Sequence, residues 1–310
     1  MSFRVSVCTF IALAAGVGAT WAQEARIERA RQVQVARQGS ENLPSLLEVS
    51  TVDTTTGSDD DSFGIQQILR EEEKFRHFLI GAEISAFATN NVALTRNGAK
   101  SDTFLLAMVP LEYRRPLPNG FQLGAQARFS TFRYNRFSLL DFNSIDLGMG
   151  LSRHFQEWGG FDVGLAYNYN QLIAAPTGDT FFKNHTITGA IQKAFSFSQA
   201  HYAYVGATGQ LGFADPKIAE RSELAGFVGY HLQATRSLAV DLLYRYGYYI
   251  YSEADRRDRN QTLSLAIRQQ FTEWFSIFTS GYITWNHSNI SVFEYDAANA
   301  GVGLTVSLQF

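Results

Sequence analysis

A chain of 310 residues with 18% charged side chains, a formal net charge of -3 and a mean hydropathy of -0.12 has the bulk composition of a soluble protein. No apolar run of about 18 or more residues occurs beyond the N-terminal stretch, which excludes a bundle of membrane-spanning helices, and the near-neutral charge offers no basic face for nucleic acid. The aromatic content stands apart, at 14% with 25 Phe and 14 Tyr.

Residues 1–22 combine Arg4, an apolar stretch over 5–17 and Thr20-Trp21-Ala22, the pattern of a secretory signal cleaved before Gln23. The single cysteine, Cys8, lies inside it, so no disulfide or redox chemistry is expected of the processed chain. Over residues 23–38, Ala25, Ile27, Ala30, Val33 and Val35 recur at roughly helical spacing among Arg and Glu, which suits a short amphipathic helix or a small coiled coil; the plainer reading is a solvated periplasmic segment. Residues 39–63 are poor in large apolar side chains after Leu47 and read as a linker. The acidic run Asp59-Asp60-Asp61 lacks the spacing of an EF-hand loop and reads as a solvated turn. Residues 64–75 suit a second short helix, with Ser62 placed to cap it.

From Arg76 onward the period of the pattern changes to two, the signature of strands whose side chains point alternately to opposite faces. Such stretches recur at about 77–89, 103–114, 121–132, 144–154, 161–171, 185–195, 202–212, 222–232, 238–250, 262–271, 275–286 and 299–310, with ends uncertain by about two to four residues. The ninth is the clearest internal example: Leu238, Val240, Leu242, Tyr244, Tyr246, Tyr248 and Ile250 alternate with a face carrying Asp241, Arg245 and Gly247. The sixth is the weakest, with only Ile187 and Ile191 opposite Thr188 and Gln192. Connections alternate too: turns such as 115–120 and 234–237 are short, whereas every other connection, such as 252–260, is longer and polar.

An even number of strands with short turns on one rim and longer loops on the other predicts an all-β fold, a transmembrane antiparallel up-and-down barrel of about twelve strands. The expected division is signal peptide 1–22, a disordered or short-helical periplasmic segment 23–75, and barrel 76–310. One face of the strands is almost free of charge. The other carries Glu83, Glu112, Arg114, Arg128, Asp146, Asp162, Glu223, Asp241, Arg245 and Arg268. A charge facing lipid at mid-depth costs about 2–4 kcal/mol, so the charged face must line a lumen. A lipocalin-like barrel would be inverted, with its charges outside. The two signs of charge could polarise a water channel or pair across the interior.

Asn299-Ala-Gly-Val-Gly-Leu-Thr-Val-Ser-Leu-Gln-Phe310 alternates strictly and resembles the terminal strand of Gram-negative outer-membrane barrels. That resemblance implies that Phe310 is an assembly signal for the barrel assembly machinery and that both termini are periplasmic. Thr89-Asn90-Asn91-Val92-Ala93-Leu94, Tyr295-Asp296 and Asn299-Ala300-Gly301-Val302-Gly303-Leu304 resemble elements of porin-like outer-membrane β-barrel proteins, a family without a defined substrate. The resemblance implies an outer-membrane lipid environment and a channel for small polar solutes, with no cofactor, metal or nucleic acid partner. Trp285-Asn286-His287-Ser288-Asn289 is similar to the His, Ser and Asn arrangement of outer-membrane lipid hydrolases. Those enzymes separate His from Ser by one residue, however, and adjacent His287 and Ser288 point to opposite faces, so no catalytic residue is assigned. The alternatives to the channel are an outer-membrane lipid-hydrolysing enzyme with a rim His/Ser site and a structural or adhesive surface barrel.

Overall fold

The computed structural model describes residues 23–37, 76–253 and 255–310; the signal stretch 1–22, the linker and the second predicted helix lie outside the described residues. The alternating stretches form twelve strands: β1 (Phe78–Thr89), β2 (Asp102–Pro116), β3 (Phe121–Tyr134), β4 (Phe142–Phe155), β5 (Phe161–Ala174), β6 (Thr180–Ser198), β7 (His201–Asp215), β8 (Arg221–Gln233), β9 (Leu238–Tyr251), β10 (Arg257–Gln270), β11 (Phe275–Ser288) and β12 (Tyr295–Gln309). Each pairs antiparallel with its chain neighbours. β1 closes on β12, from Leu79 opposite Gln309 to Thr89 opposite Asn299, so no edge is left unpaired.

The two faces of the closed sheet differ as the alternation requires. Leu147, Leu165, Val228, Leu265 and Val302 point outward and are exposed, while Asp146, Ala166, Ala225, Ala266 and Asp241 point inward and are buried. Apolar outside and polar inside is the arrangement of a barrel whose solvent is lipid. Phe155 stacks on Trp158 at 4.2 Å and Trp274 packs against Phe275 on the short-turn rim, in keeping with an interfacial aromatic belt.

Strands run further into the connections than the alternation suggested. β6 extends over 19 residues, and the connection expected over 252–260 shrinks to 252–256. Backbone pairing continues past the point where the apolar face stops, because the ladder needs only partners and not lipid. The two rims still differ, with 199–200 the tightest turn on one and 90–101 the longest loop on the other.

The predicted helix forms over residues 23–37 (α1), but it is not solvated. Ile27, Arg29 and Ala30 are buried, as are Glu28, Gln32 and Val33. Its partners come from all around the wall: Glu83 and Thr89 of β1, Asp146 of β4, Arg221 of β8 and Asn299 of β12, together with Arg256 just before β10. A helix that touches inward side chains on every side is inside the barrel. Gln23 lies at the long-loop rim, donating to the Phe181 carbonyl, and Arg37 lies at the depth of Glu83, so α1 descends from the long-loop mouth toward the rim that carries Phe310. At 1.5 Å per residue its length is about 22 Å, most of the way through a membrane-spanning barrel.

Candidate functional site: the lumen and its helix

The inner wall is divided into two arcs, and α1 is built to face both. On one arc Phe87, Phe104, Phe132 and Phe142 from β1 to β4 form a row of rings with successive centroids 5.3, 6.3 and 4.2 Å apart. Ile27, Ala30 and Val33 pack into this row together with Leu106, Leu172 and Phe182. The sequence reading took the inward face as the polar, charged one; on this arc it is aromatic. These aromatic residues obey the inward parity of their strands, but they face a protein helix and not water, so hydrophobic burial favours them.

The opposite arc, on β8 to β10, is charged. Arg256 packs its guanidinium 3.6 Å from the Phe293 ring centre and 3.9 Å from that of Tyr251, and Arg221 sits 3.8 Å from that of Tyr249. Arg245 in turn donates to the Tyr249 hydroxyl at 3.0 Å. The result is a ladder of alternating guanidinium and aromatic groups descending from the long-loop mouth. Gly247 makes room for it: a Cβ there would lie 2.7 Å from the Tyr249 ring. Glu223 accepts from Arg221 at 3.2 Å and from Arg245, and Asp258 accepts from Arg256.

Helix α1 docks on this ladder through two carboxylates one turn apart. Glu24 accepts from Arg256 at 2.8 Å, and Glu28 accepts from Arg221 at 2.9 Å and from Arg31 at 2.7 Å. Burial by itself works against the charge on Arg256. Tyr251, Asp258 and Glu24 outweigh it and hold its pKa above the ordinary value. Arg29, fully buried, donates to the Asn91 carbonyl at 2.9 Å, to the Thr89 hydroxyl at 3.1 Å and to Asn299. Gln32 donates to the Tyr295 hydroxyl, and Gln34 donates to Asp146 at 2.9 Å. On the long-loop rim, hydrogen bonds from Lys217 and Ser252 hold the Glu220 carboxyl below the usual carboxylate range.

The ten charged residues assigned to the lumen by sequence are placed in several local groups. Glu83 pairs with Arg37 of the helix, and Glu112 with Arg114 on its own strand. Arg128 stands opposite Asp146 in the β3–β4 register, where Asp146 also accepts from Ser144 and Asn170. Asp162 meets His154 Nδ1 at 2.5 Å, and Asp241 meets His231 Nδ1 at 2.6 Å. Glu223 and Arg245 belong to the ladder, and Arg268 lies near the short-turn end of β10. The pairs observed run along a strand, between neighbouring strands or to α1, and none of them spans the interior from wall to opposite wall.

Sequence reasoning missed Arg29, Arg221, Arg256 and Asp258, and missed the aromatic arc. The signal was available in part: extending strand parity outward puts Arg221 on the face of Glu223, and Tyr249 and Tyr251 on that of Arg245. At the long-loop rim His287 is exposed on the outer side, while Ser288 points the other way and its hydroxyl accepts from the Ile290 amide. Among the described residues no group of three or more His, Cys, Asp or Glu is placed to hold a metal ion.

Above the ladder a cavity of about 560 Å³ opens between α1, the 90–101 loop and the segment after β11; Glu24, Glu28, Leu94, Arg96, Arg256 and Phe293 contribute to its walls. No protein-family model matches this sequence, and no curated protein matches it. Among solved structures, the barrel is similar to the COG4313 outer membrane channel from Pseudomonas putida F1. That match covers 76% of this chain and 97% of the other, at 12% identity and a TM-score of 0.52. Weaker likenesses include the beta domain of the Bordetella autotransporter BrkA (76% and 100% covered, 12% identity, TM-score 0.42) and the NanC porin (73% and 100%, 5%, 0.43). At 12% identity the likeness to the COG4313 channel establishes the fold alone, a closed antiparallel β-barrel of twelve strands.

Proposed function

We propose that the protein is a porin-like channel of the bacterial outer membrane for small polar solutes, closed at rest by its own helix α1. The observation that carries this reading is a helix, not part of the strand ladder, that occupies the lumen and pairs with the charged side chains of its wall. In this reading residues 1–22 are removed as a signal, 23–75 form the segment that contains the closing helix, and 76–310 are the Gram-negative outer-membrane barrel. The rim with Phe310 faces the periplasm and the longer loops face outward. The Phe310 ring, stacked on Phe78 at 5.7 Å and exposed, is accessible to the assembly machinery.

Single-channel recording in planar lipid bilayers tests the reading. The wild-type protein is expected to be silent for most of the record, with brief openings. Ile27→Asp, which sets a carboxylate against the aromatic arc, is expected to stay open for much longer. Silence of both proteins in bilayers that contain folded, heat-modifiable barrel would overturn the channel.

A further inference from the structure

The ladder on β8 to β10 does more than fasten the helix. Among the described residues, three guanidiniums, those of Arg221, Arg245 and Arg256, pair with two carboxylates of the wall itself, Glu223 and Asp258. The charge is balanced from outside the wall by Glu24 and Glu28 together with Arg31, which also donates to Glu28; the two carboxylates stand four residues apart on one side of α1, about 6 Å along its axis. Arg221 is almost fully buried, and its Nε has no hydrogen-bond partner among the described residues, so the wall holds donor capacity that the helix does not use. The cavity of about 560 Å³ at the long-loop mouth reaches Glu24, Glu28 and Arg256, so the upper rung of the ladder is approachable from that side with α1 in place.

We propose that the arginine and tyrosine ladder is a binding track for solutes that carry two carboxylates about 6 Å apart, and that Glu24 and Glu28 occupy it as a built-in stand-in for such a solute. The proposal rests on the channel reading for its purpose, but its chemistry is independent of conduction. Arg256 is packed over the Tyr251 and Phe293 rings and Arg221 over that of Tyr249, and a guanidinium placed so still offers N–H groups to carboxylates, the forked recognition that favours Arg over Lys at such sites. A dicarboxylate entering from the long-loop mouth meets Arg256 first, displaces Glu24, and then reaches Arg221 by displacing Glu28. Solute and helix therefore compete for the same donors. Each carboxylate lost by α1 also removes an ion pair that holds it in the lumen, so loading the ladder loosens the closure.

The test uses the full-length protein in detergent and measures binding of adipate by titration calorimetry, with hexanoate as the comparison that has the same chain length and one carboxylate. Adipate is expected to bind Glu24→Gln with Glu28→Gln at least tenfold more tightly than wild type, and at least tenfold more tightly than hexanoate binds. Adding Arg221→Gln and Arg256→Gln should weaken adipate at least tenfold. If that four-site protein does not fold, the comparison between wild type and the double variant still decides the matter. Equal affinity in those two proteins, or no preference for adipate over hexanoate, would overturn the proposal. Current through the channel without such binding removes the ladder site and leaves the channel; binding without current removes the channel and leaves the site.

Discussion

Ile27 is the residue at which the closure can be separated from the barrel. Its side chain is 1% exposed and packs among the inward rings of the aromatic arc. Ile27→Ala removes three buried carbons, worth about 0.8 kcal/mol each, or about 2.4 kcal/mol in all; a residual cavity brings buried Ile→Ala changes into the range of about 2–5 kcal/mol. Alanine is the better helix former, so the loss does not come from α1 unwinding. Because the barrel's own strand pairs are untouched, the cost falls on docking. At about 1.4 kcal/mol per tenfold change, 2.4 kcal/mol raises the undocked fraction about fifty-fold. The assay is open probability in planar bilayers, paired with urea unfolding of the same protein in lipid vesicles. A rise in open probability with an unchanged unfolding midpoint is expected. An unchanged open probability with a lower midpoint would refute the reasoning, because α1 would then be an integral part of the folded core.

Leu147→Arg, on the lipid side of β4, should cost about 2–4 kcal/mol of stability in vesicles, whereas Asp146→Asn, its inward neighbour, should leave insertion intact and act on the buried network that it shares with Arg128 and with Gln34 of α1. Gly229→Val should destabilise the barrel by about 1–3 kcal/mol, since a Cβ at Gly229 would lie 2.1 Å from the Tyr204 ring; loss of heat-modifiable folded protein measures this. In proteins opened by Ile27→Asp, replacing Arg128 and Arg245 with Gln should move the reversal potential in a salt gradient toward cation preference. An unchanged potential would place those residues away from the conducting path.

Much of the architecture could be read from alternation because the membrane imposes it: an outward position such as Leu265 or Val302 must be apolar whatever lies inside. Inward positions carry no such rule. Phe104, Leu106 and Phe132 look like interruptions of a polar face until their partner, α1, is known. The helix itself was legible as a helix from Ile27, Ala30 and Val33, but its location was not, because Glu24, Glu28, Arg29 and Arg31 read as a solvated face. Each of those charges is in fact matched by a wall residue or carbonyl distant in sequence. Helical periodicity reports which side of a helix is apolar; it does not report whether the polar side meets water or a complementary wall.

Of the strand pairs, eleven join chain neighbours and one, β1 with β12, joins the two ends of the sheet. Hairpins form from local contacts, so the sheet can grow strand by strand with little entropy lost at each turn, while the last pairing must bring together segments separated by the whole barrel. Until then the growing sheet has two raw edges and an open side. Phe78 and Phe310 exchange both backbone hydrogen bonds, at 2.9 and 3.0 Å, beneath their stacked rings. They act as a clasp on the one joint that cannot be made early. Strand completion and helix enclosure are thereby linked in time: while that joint is open α1 can be laid against the aromatic arc from the side, and once it is shut the only ways in or out are the two mouths.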